Sequence, residues 1–406
     1  MTTVENQKPP TFTIKPKKEI QQNIISNKYI SDIQEKDDIL YFRIKGLDVS
    51  FVNALRRILL ANLEVIVFKT FPYAENQCTI YQNTSRLNNE QIKHRLSCIP
   101  IHITDLTNTP YQNYQLELNV ENTGNTILYV TTADFKIKDK IAEKYLTEKE
   151  IRTIFPPDSD TGDYIEFLVL YPKLSDEIPG EKIHLIADFS KEFVYKNGSY
   201  TTVNLAVYNN TQDTTKIEEA LAKNLHKWKE EGYNKDEIDL KAKNFELLDA
   251  LRITIPDDFE FRLQTIGVYE NAELMIMSCL VMIQKLKTLD GLIETGELPV
   301  EKSQTTLANS WDIRLDGEDY TVGRVLEGFL HKKYITESNV LDFCGFDKKH
   351  PHDTYSIIRI AFKEPQEKAV VYQILREIIT QIIDIYEKIQ EPFVDKFLKS
   401  KSKLTK

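Results

Sequence analysis

Apolar residues recur at helical spacing in two stretches that superimpose without a gap. Gly46 to Leu59 lies over Gly317 to Leu330. In the first copy Phe51, Ala54, Leu55, Ile58 and Leu59 form the stripe; in the second it is Val322, Val325, Leu326, Phe329 and Leu330. Each stripe is preceded by a hydroxyl residue, Ser50 or Thr321, placed to accept a hydrogen bond from an orphan N–H of the first turn. Each copy also closes alike. Phe259–Thr265 alternates as a strand, turns near Gly267 and enters an apolar helix over 272–289. Ser356–Phe362 alternates likewise, turns at Pro365 and enters a helix over 368–390, with Val371, Leu375, Ile378, Ile382, Ile385 and Ile389 on one stripe. A stripe of that length requires a partner of similar length. The equivalent helix of the other copy is the simplest one, so the chain reads as two related halves paired about a pseudo-twofold axis. The intrachain interface is expected from Phe51, Leu55, Ile58 and Leu59 against Leu326, Phe329 and Leu330, with Leu375, Ile378 and Ile382 from the last helix.

Between these landmarks the pattern changes. Residues 1–35 are polar and interrupted by Pro9, Pro10 and Pro16, and read as flexible. Ile39–Lys45 and Leu63–Phe71 read as strands on either side of the first helix, and a short helix over 83–100 ends at Pro100. From 102 to 181 short strand candidates such as Gln115–Val120 and Tyr164–Leu170 alternate with polar turns, an inserted subdomain. The first half therefore comprises 36–101 and 182–290, a linker spans 291–310, the second half 311–390, and a basic tail 391–406. Strands with flanking helices in each half make the fold α+β.

Composition narrows the function. The net charge of −10 and the pI near 5.4 oppose a surface that grips nucleic acid directly. No apolar run reaches the roughly 18–20 residues a membrane span needs, and the N-terminus lacks a signal-peptide core, which predicts an intracellular protein without membrane contact. Cys78, Cys98, Cys279 and Cys344 stand far apart and read as buried reduced thiols. His94 has no nucleophile or carboxylate at catalytic spacing, and His350-Pro351-His352 lacks a third ligand and reads as a turn. A glycine-rich phosphate loop and an Asp-x-Asp-x-Asp run are both absent. Catalytic, cofactor and metal sites are accordingly not expected.

Asn53–Leu59, followed by Asn83-Thr84-Ser85 and His94–Pro100, resembles the alpha-type subunit of multisubunit RNA polymerases. That family includes the bacterial alpha N-terminal domain, the archaeal D subunit and the third-largest eukaryotic subunit. Phe259–Gly267 is similar to the family's closing segment, while 311–390, with Gly317–Gly323, Asp347–Pro351 and Ile358-Arg359-Ile360, is similar to the small partner called L in archaea. The resemblance implies a fused D–L pair, a non-catalytic platform for the largest and second-largest polymerase subunits and for small subunits. DNA and RNA would be contacted only through the complex, and no homo-oligomer is expected. It implies that Arg56 and Arg57, replaced by Glu327 and Gly328 in the second copy, face the second-largest subunit. It likewise assigns Asn83, Thr84, Glu90, His94 and Arg95 to subunit contact, beside the alternative of a capped helix burying Ile92 and Leu96. The insert departs from many relatives, since no cysteine lies between Cys98 and Cys279 to hold zinc or an iron–sulfur centre. Fusion into one chain resembles the arrangement of large DNA viruses transcribing in the host cytoplasm, so host cytoplasm and virion are the expected locations. A regulatory module that binds transcription factors outside the core enzyme is the alternative reading.

Overall fold

The computed structural model describes residues 27–106, 108–173, 175 and 179–404, with side chains to 400. The first half opens with β1 (Ile30–Lys36), β2 (Ile39–Lys45) and α1 (Val49–Ala61). Next come β3 (Glu64–Phe68), β4 (Cys78–Asn83), α2 (Asn89–Ser97), β5 (Tyr114–Glu121), β6 (Leu128–Thr131), β7 (Lys136–Asp139), β8 (Lys144–Tyr145), α3 (Glu148–Ile154), β9 (Glu166–Leu170) and β10 (Lys182–Phe193). β11 (Val203–Gln212), α4 (Thr214–Glu230), α5 (Lys235–Asn244), β12 (Thr254–Thr265) and α6 (Asn271–Glu294) complete it. The second half is β13 (Val300–Lys302), β14 (Ser310–Asp316), α7 (Tyr320–Leu330), β15 (Leu341–Asp347), β16 (Tyr355–Phe362) and α8 (Lys368–Leu404).

The duplication extends to topology. One antiparallel sheet runs β1-β2-β12-β11 and the other β13-β14-β16-β15, so the strand before the short helix always pairs with the strand before the long one. Each central pair carries a bidentate ion pair, Arg43–Asp258 across β2–β12 and Arg359–Asp312 across β16–β14, the geometry in which guanidinium and carboxylate bind best. α6 and α8 pack antiparallel: Ser400 bonds Glu270 at one end, Tyr386 lies beside Cys279 midway, and Arg376 bonds Asp290 at the other. The stripe from Val371 to Ile389 is wholly buried. Phe51 and Phe329 meet across the short helices with ring centroids 6.2 Å apart, and Phe51 also reaches Tyr386.

Four boundaries differ from the sequence reading. Residues 27–35 are structured, with Tyr29 and Ile30 buried; β1 is an edge strand whose two isoleucines, Ile30 and Ile33, stand three residues apart, so no alternation marks it. The flexible reading of residues 1–26 lies outside the described residues. The linker is instead the end of α6 followed by β13, whose Val300 is buried, while the Leu298 carbonyl accepts from the Tyr372 hydroxyl. The basic tail continues α8 through Pro392, and Phe393 is fully buried against Phe42. Proline leaves the carbonyl four residues earlier without its helical donor, and the Asn27 side chain donates to that Lys388 carbonyl.

The inserted subdomain is also larger than 102–181. β10 pairs with β3 and β4 on one side and β5 on the other, and a second core joins Ile66, Phe68, Ile92 and Leu96 to Phe135, Phe167 and Phe189. β3 stands between the two cores: Val65 and Val67 face the first, Ile66 and Phe68 the second. The thiols are not uniformly buried either. Cys78 and Cys279 are buried, Cys344 is half-buried, and Cys98, at the C-cap of α2, is exposed.

Candidate functional site

α1 and α7 begin with the same local device. Gly46 and Gly317 take the left-handed conformation, at φ +70° and +73°, and their N–H groups donate to the carbonyls of Asp257 and Thr354. Two residues on, the carboxylates of Asp48 and Asp319 accept from the N–H of Ser50 and Thr321, at 2.9 and 2.8 Å. The caps are therefore aspartates, not the hydroxyls expected from sequence. A carboxylate is the stronger acceptor and complements the positive end of the helix dipole.

The hydroxyls face the opposite half. Arg57 reaches across to α7, its Nε donating to Thr321 Oγ1 at 2.9 Å and its Nη2 to Asp319 Oδ2 at 2.6 Å. The pseudo-symmetric position on α7 is Gly328, where a Cβ would lie 3.4 Å from both Asp48 Oδ1 and Ser50 Oγ. Ser50 accordingly keeps a buried hydroxyl with no hydrogen-bond partner among the described residues. The cap of one half is thus gripped by an arginine, and its counterpart, among the described residues, by no side chain of the other half.

Arg56 and Arg57 line a cleft of about 970 Å³ between the halves. Among the described residues Arg56 is steadied only within its own helix, its Nε donating to Asn53 Oδ1 at 3.0 Å. Leu60, Phe193, Tyr195 and Leu280 expose apolar surface to the cleft, and Lys285, Glu318 and Lys348 add charge. Lys285 bonds Glu318 at 2.9 Å, yet burial still pushes that carboxyl up. Burial opposes ionisation of Asp319 too, but the Thr321 hydrogen bonds and then the Arg57 charge more than offset it, holding the carboxyl below its usual range. Exposed apolar side chains rimmed by fixed charges suit the docking of a protein segment. The sequence offered little sign of Phe193, Tyr195, Leu280 and Lys348, which are distant along the chain. The one signal was the apolar excess of α6, more than a single buried face requires.

The segment around α2 lies elsewhere, along a groove of about 450 Å³ with Glu90, His94 and Arg95 on its wall. Arg95 donates to the carbonyls of Glu166 and Phe167 on β9. Asn83 closes its own turn through Leu87 and Ser85, and Thr84 exchanges hydrogen bonds with the Lys182 backbone. Asn83, Thr84 and Arg95 thus clamp α2 to the second core, while Glu90 and His94 are exposed. Ile92 and Leu96 are buried below an Asn88–Gln91 capping box. His350–His352 is a turn, with the His350 N–H donating to the Asp353 carboxylate and the His352 N–H to His350 Nδ1. Among the described residues, no group of three or more His, Cys, Asp or Glu is arranged to hold a metal, and no helix is long and apolar enough to cross a membrane.

A family model for the RNA polymerase Rpb3/Rpb11 dimerisation domain matches residues 41–286, and a second model of the same description matches 310–392. The chain belongs to the Rpb3/Rpb11 dimerisation family. It carries two such units in tandem, the fused alpha-type and L-like pair that the resemblance implied. Over 111 residues it is 32% identical to DNA-directed RNA polymerase subunit Rpo3 of Pyrococcus furiosus, covering 26% of this chain and 39% of the relative. Over 214 residues it is 24% identical to the human DNA-directed RNA polymerases I and III subunit RPAC1, covering 49% and 58%. A conjugation stage-specific protein of Tetrahymena thermophila is 34% identical over 107 residues, covering 23% and 32%. Each match spans less than two thirds of the relative's own length.

Proposed function

We propose that this chain is a non-catalytic subunit of a multisubunit DNA-directed RNA polymerase, the platform on which the two large catalytic subunits assemble. The observation that carries the reading is the intrachain pairing of two Rpb3/Rpb11-type units through α1, α7, α6 and α8. Similarity to Rpo3 and RPAC1, both named as polymerase subunits, supports it. Tethering places the halves at an effective concentration of roughly millimolar, so the pair forms without a separate association step. The cleft containing Arg56 is the docking face for the second-largest subunit. Arg57 is committed to Asp319, leaving Arg56 as the arginine available to a partner. Nucleic acid is reached only through the assembled enzyme, consistent with the net charge of −10. Fusion of the two units favours a large DNA virus as source and host cytoplasm and virion as locations, which mass spectrometry of purified particles checks directly.

The test is to purify a tagged chain from the cells or particles that make it. Two large partners and template-dependent RNA synthesis by the complex, with none from the isolated chain, are expected. A chain that purifies without them overturns the platform reading and leaves a regulatory module.

A further inference from the structure

The connection between β11 and β12, residues 213–253, has no counterpart in the second half, where residues 348–354 alone join β15 to β16. It folds as a helical hairpin of α4 and α5, prolonged by a wide π turn over Phe245–Asp249. Its inner face is already satisfied. Ile217, Leu221, Leu225 and Trp228 of α4 are half-buried, Lys241 of α5 sits 3.6 Å from the Tyr233 ring and 5.8 Å from that of Trp228, and Phe245 and Ala250 are buried. Outside that face Leu240, Leu247, Leu248 and Leu251 are 57–69% exposed. Leu240 lies on α5, Leu247 and Leu248 on the π turn and Leu251 on the single 3-10 turn (Ala250–Arg252) that continues it, so the four follow one another along a continuous helical run. Leucines at those positions contribute little to folding the hairpin, which closes without them.

The charges around the stripe are mainly acidic. Asp236, Glu237, Asp239, Glu246 and Asp249 are exposed, against Lys235, Lys243 and Arg252. We propose that this stripe docks a basic amphipathic helix of another protein, one that sets Leu, Ile or Met between the leucines and Lys or Arg against the carboxylates. The run of leucines selects a helix laid along α5 and the turns that continue it, and the excess of exposed carboxylates over Lys235, Lys243 and Arg252 selects its charge. An anionic membrane surface fails the second criterion, because the five carboxylates repel its headgroups. The inference stands apart from the platform role, since the hairpin shares no residue with the cleft at Arg56.

The full chain is titrated against two fluorescent model helices, one with Leu on one face and Lys on the other, the second with Glu replacing Lys. The Lys helix is expected to bind at least about tenfold more tightly than the Glu helix, and the Leu247→Ser/Leu248→Ser variant to lose at least about tenfold. Asp236→Asn/Glu246→Gln/Asp249→Asn should weaken binding several-fold and flatten its salt dependence. An unchanged circular dichroism spectrum and melting temperature show that both variants fold, as substitutions at exposed sites should. Equal binding of the Lys helix by the parent and the leucine variant overturns the proposal. So does self-association of the parent chain that the leucine variant abolishes, or binding to vesicles of anionic phospholipid.

Discussion

Arg57 and Gly328 occupy the same position in the two copies of one helix, and the difference between them makes the halves unequal at their junction. Arg57 grips Asp319 and Thr321, whereas Gly328 lets the backbone of α7 close on Asp48 and Ser50. The sequence showed that the arginine pair lacked counterparts but not that one arginine faces inward, because a side chain's target across a dimer has no local signal. The two arginines should therefore separate by experiment. Arg57→Ala is expected to lower stability by about 0.5–1 kcal/mol, since both partners are partly exposed and solvent screens the pair, with little change in subunit capture. Arg56→Ala is expected to leave the urea midpoint unchanged and to weaken capture of the second-largest subunit by about tenfold. Unchanged capture would remove the docking role of Arg56. The Asp319 carboxyl sits below its unfolded value, so its contribution is present above about pH 4 and is lost as pH falls through the folded value. Asp319→Asn keeps a cap acceptor but not the charge, and should flatten the fall in urea midpoint between about pH 5 and pH 3. An acid limb identical to that of the parent would contradict the assignment.

At the scale of elements, α1, α6, α7 and α8 were legible because each repeats apolar residues at one helical period over three or more turns. β1, β11, β13 and β15 were not. They are the edge strands of their sheets, where one side of the ladder is open and a buried face demands fewer apolar positions. α8 runs past the expected end near Gln390, through Pro392, although proline in a helix interior usually breaks the helix. The Asn27 side chain, far away in sequence, takes the carbonyl that Pro392 leaves unbonded, so the helix continues. This predicts that Phe393, outwardly part of a basic tail, is a core residue: Phe393→Ala should cost about 3–5 kcal/mol, read from chemical denaturation. A change within the range of exposed substitutions would mean that the tail does not pack. Ile382→Ala on the same helix should cost about 2–5 kcal/mol and bring both halves down in one transition, whereas a first half that melts on its own would refute the shared core.

Across the whole molecule, the duplication, the α+β class and the resemblance to a D–L pair were readable in sequence order, since each half repeats its motifs in the same succession. The division into cores was not. Whether β3 and α2 belong with α1 or with the inserted strands is decided by β10, which arrives only after the inserted strands and pairs with β3, β4 and β5 at once. The cleft was hidden for the same reason, being assembled from α1, α6, the segment after β10 and the turn before α7. One chain here supplies both members of a dimer, with a one-way ion pair at its junction and an appended hairpin on one half only. The most direct test is the native mass of the purified assembly. One copy of this chain beside two large subunits, with no separate L-like chain, is the predicted composition. Two copies of the chain, or one copy accompanied by an independent L-like subunit, would contradict the intrachain pairing as the functional unit.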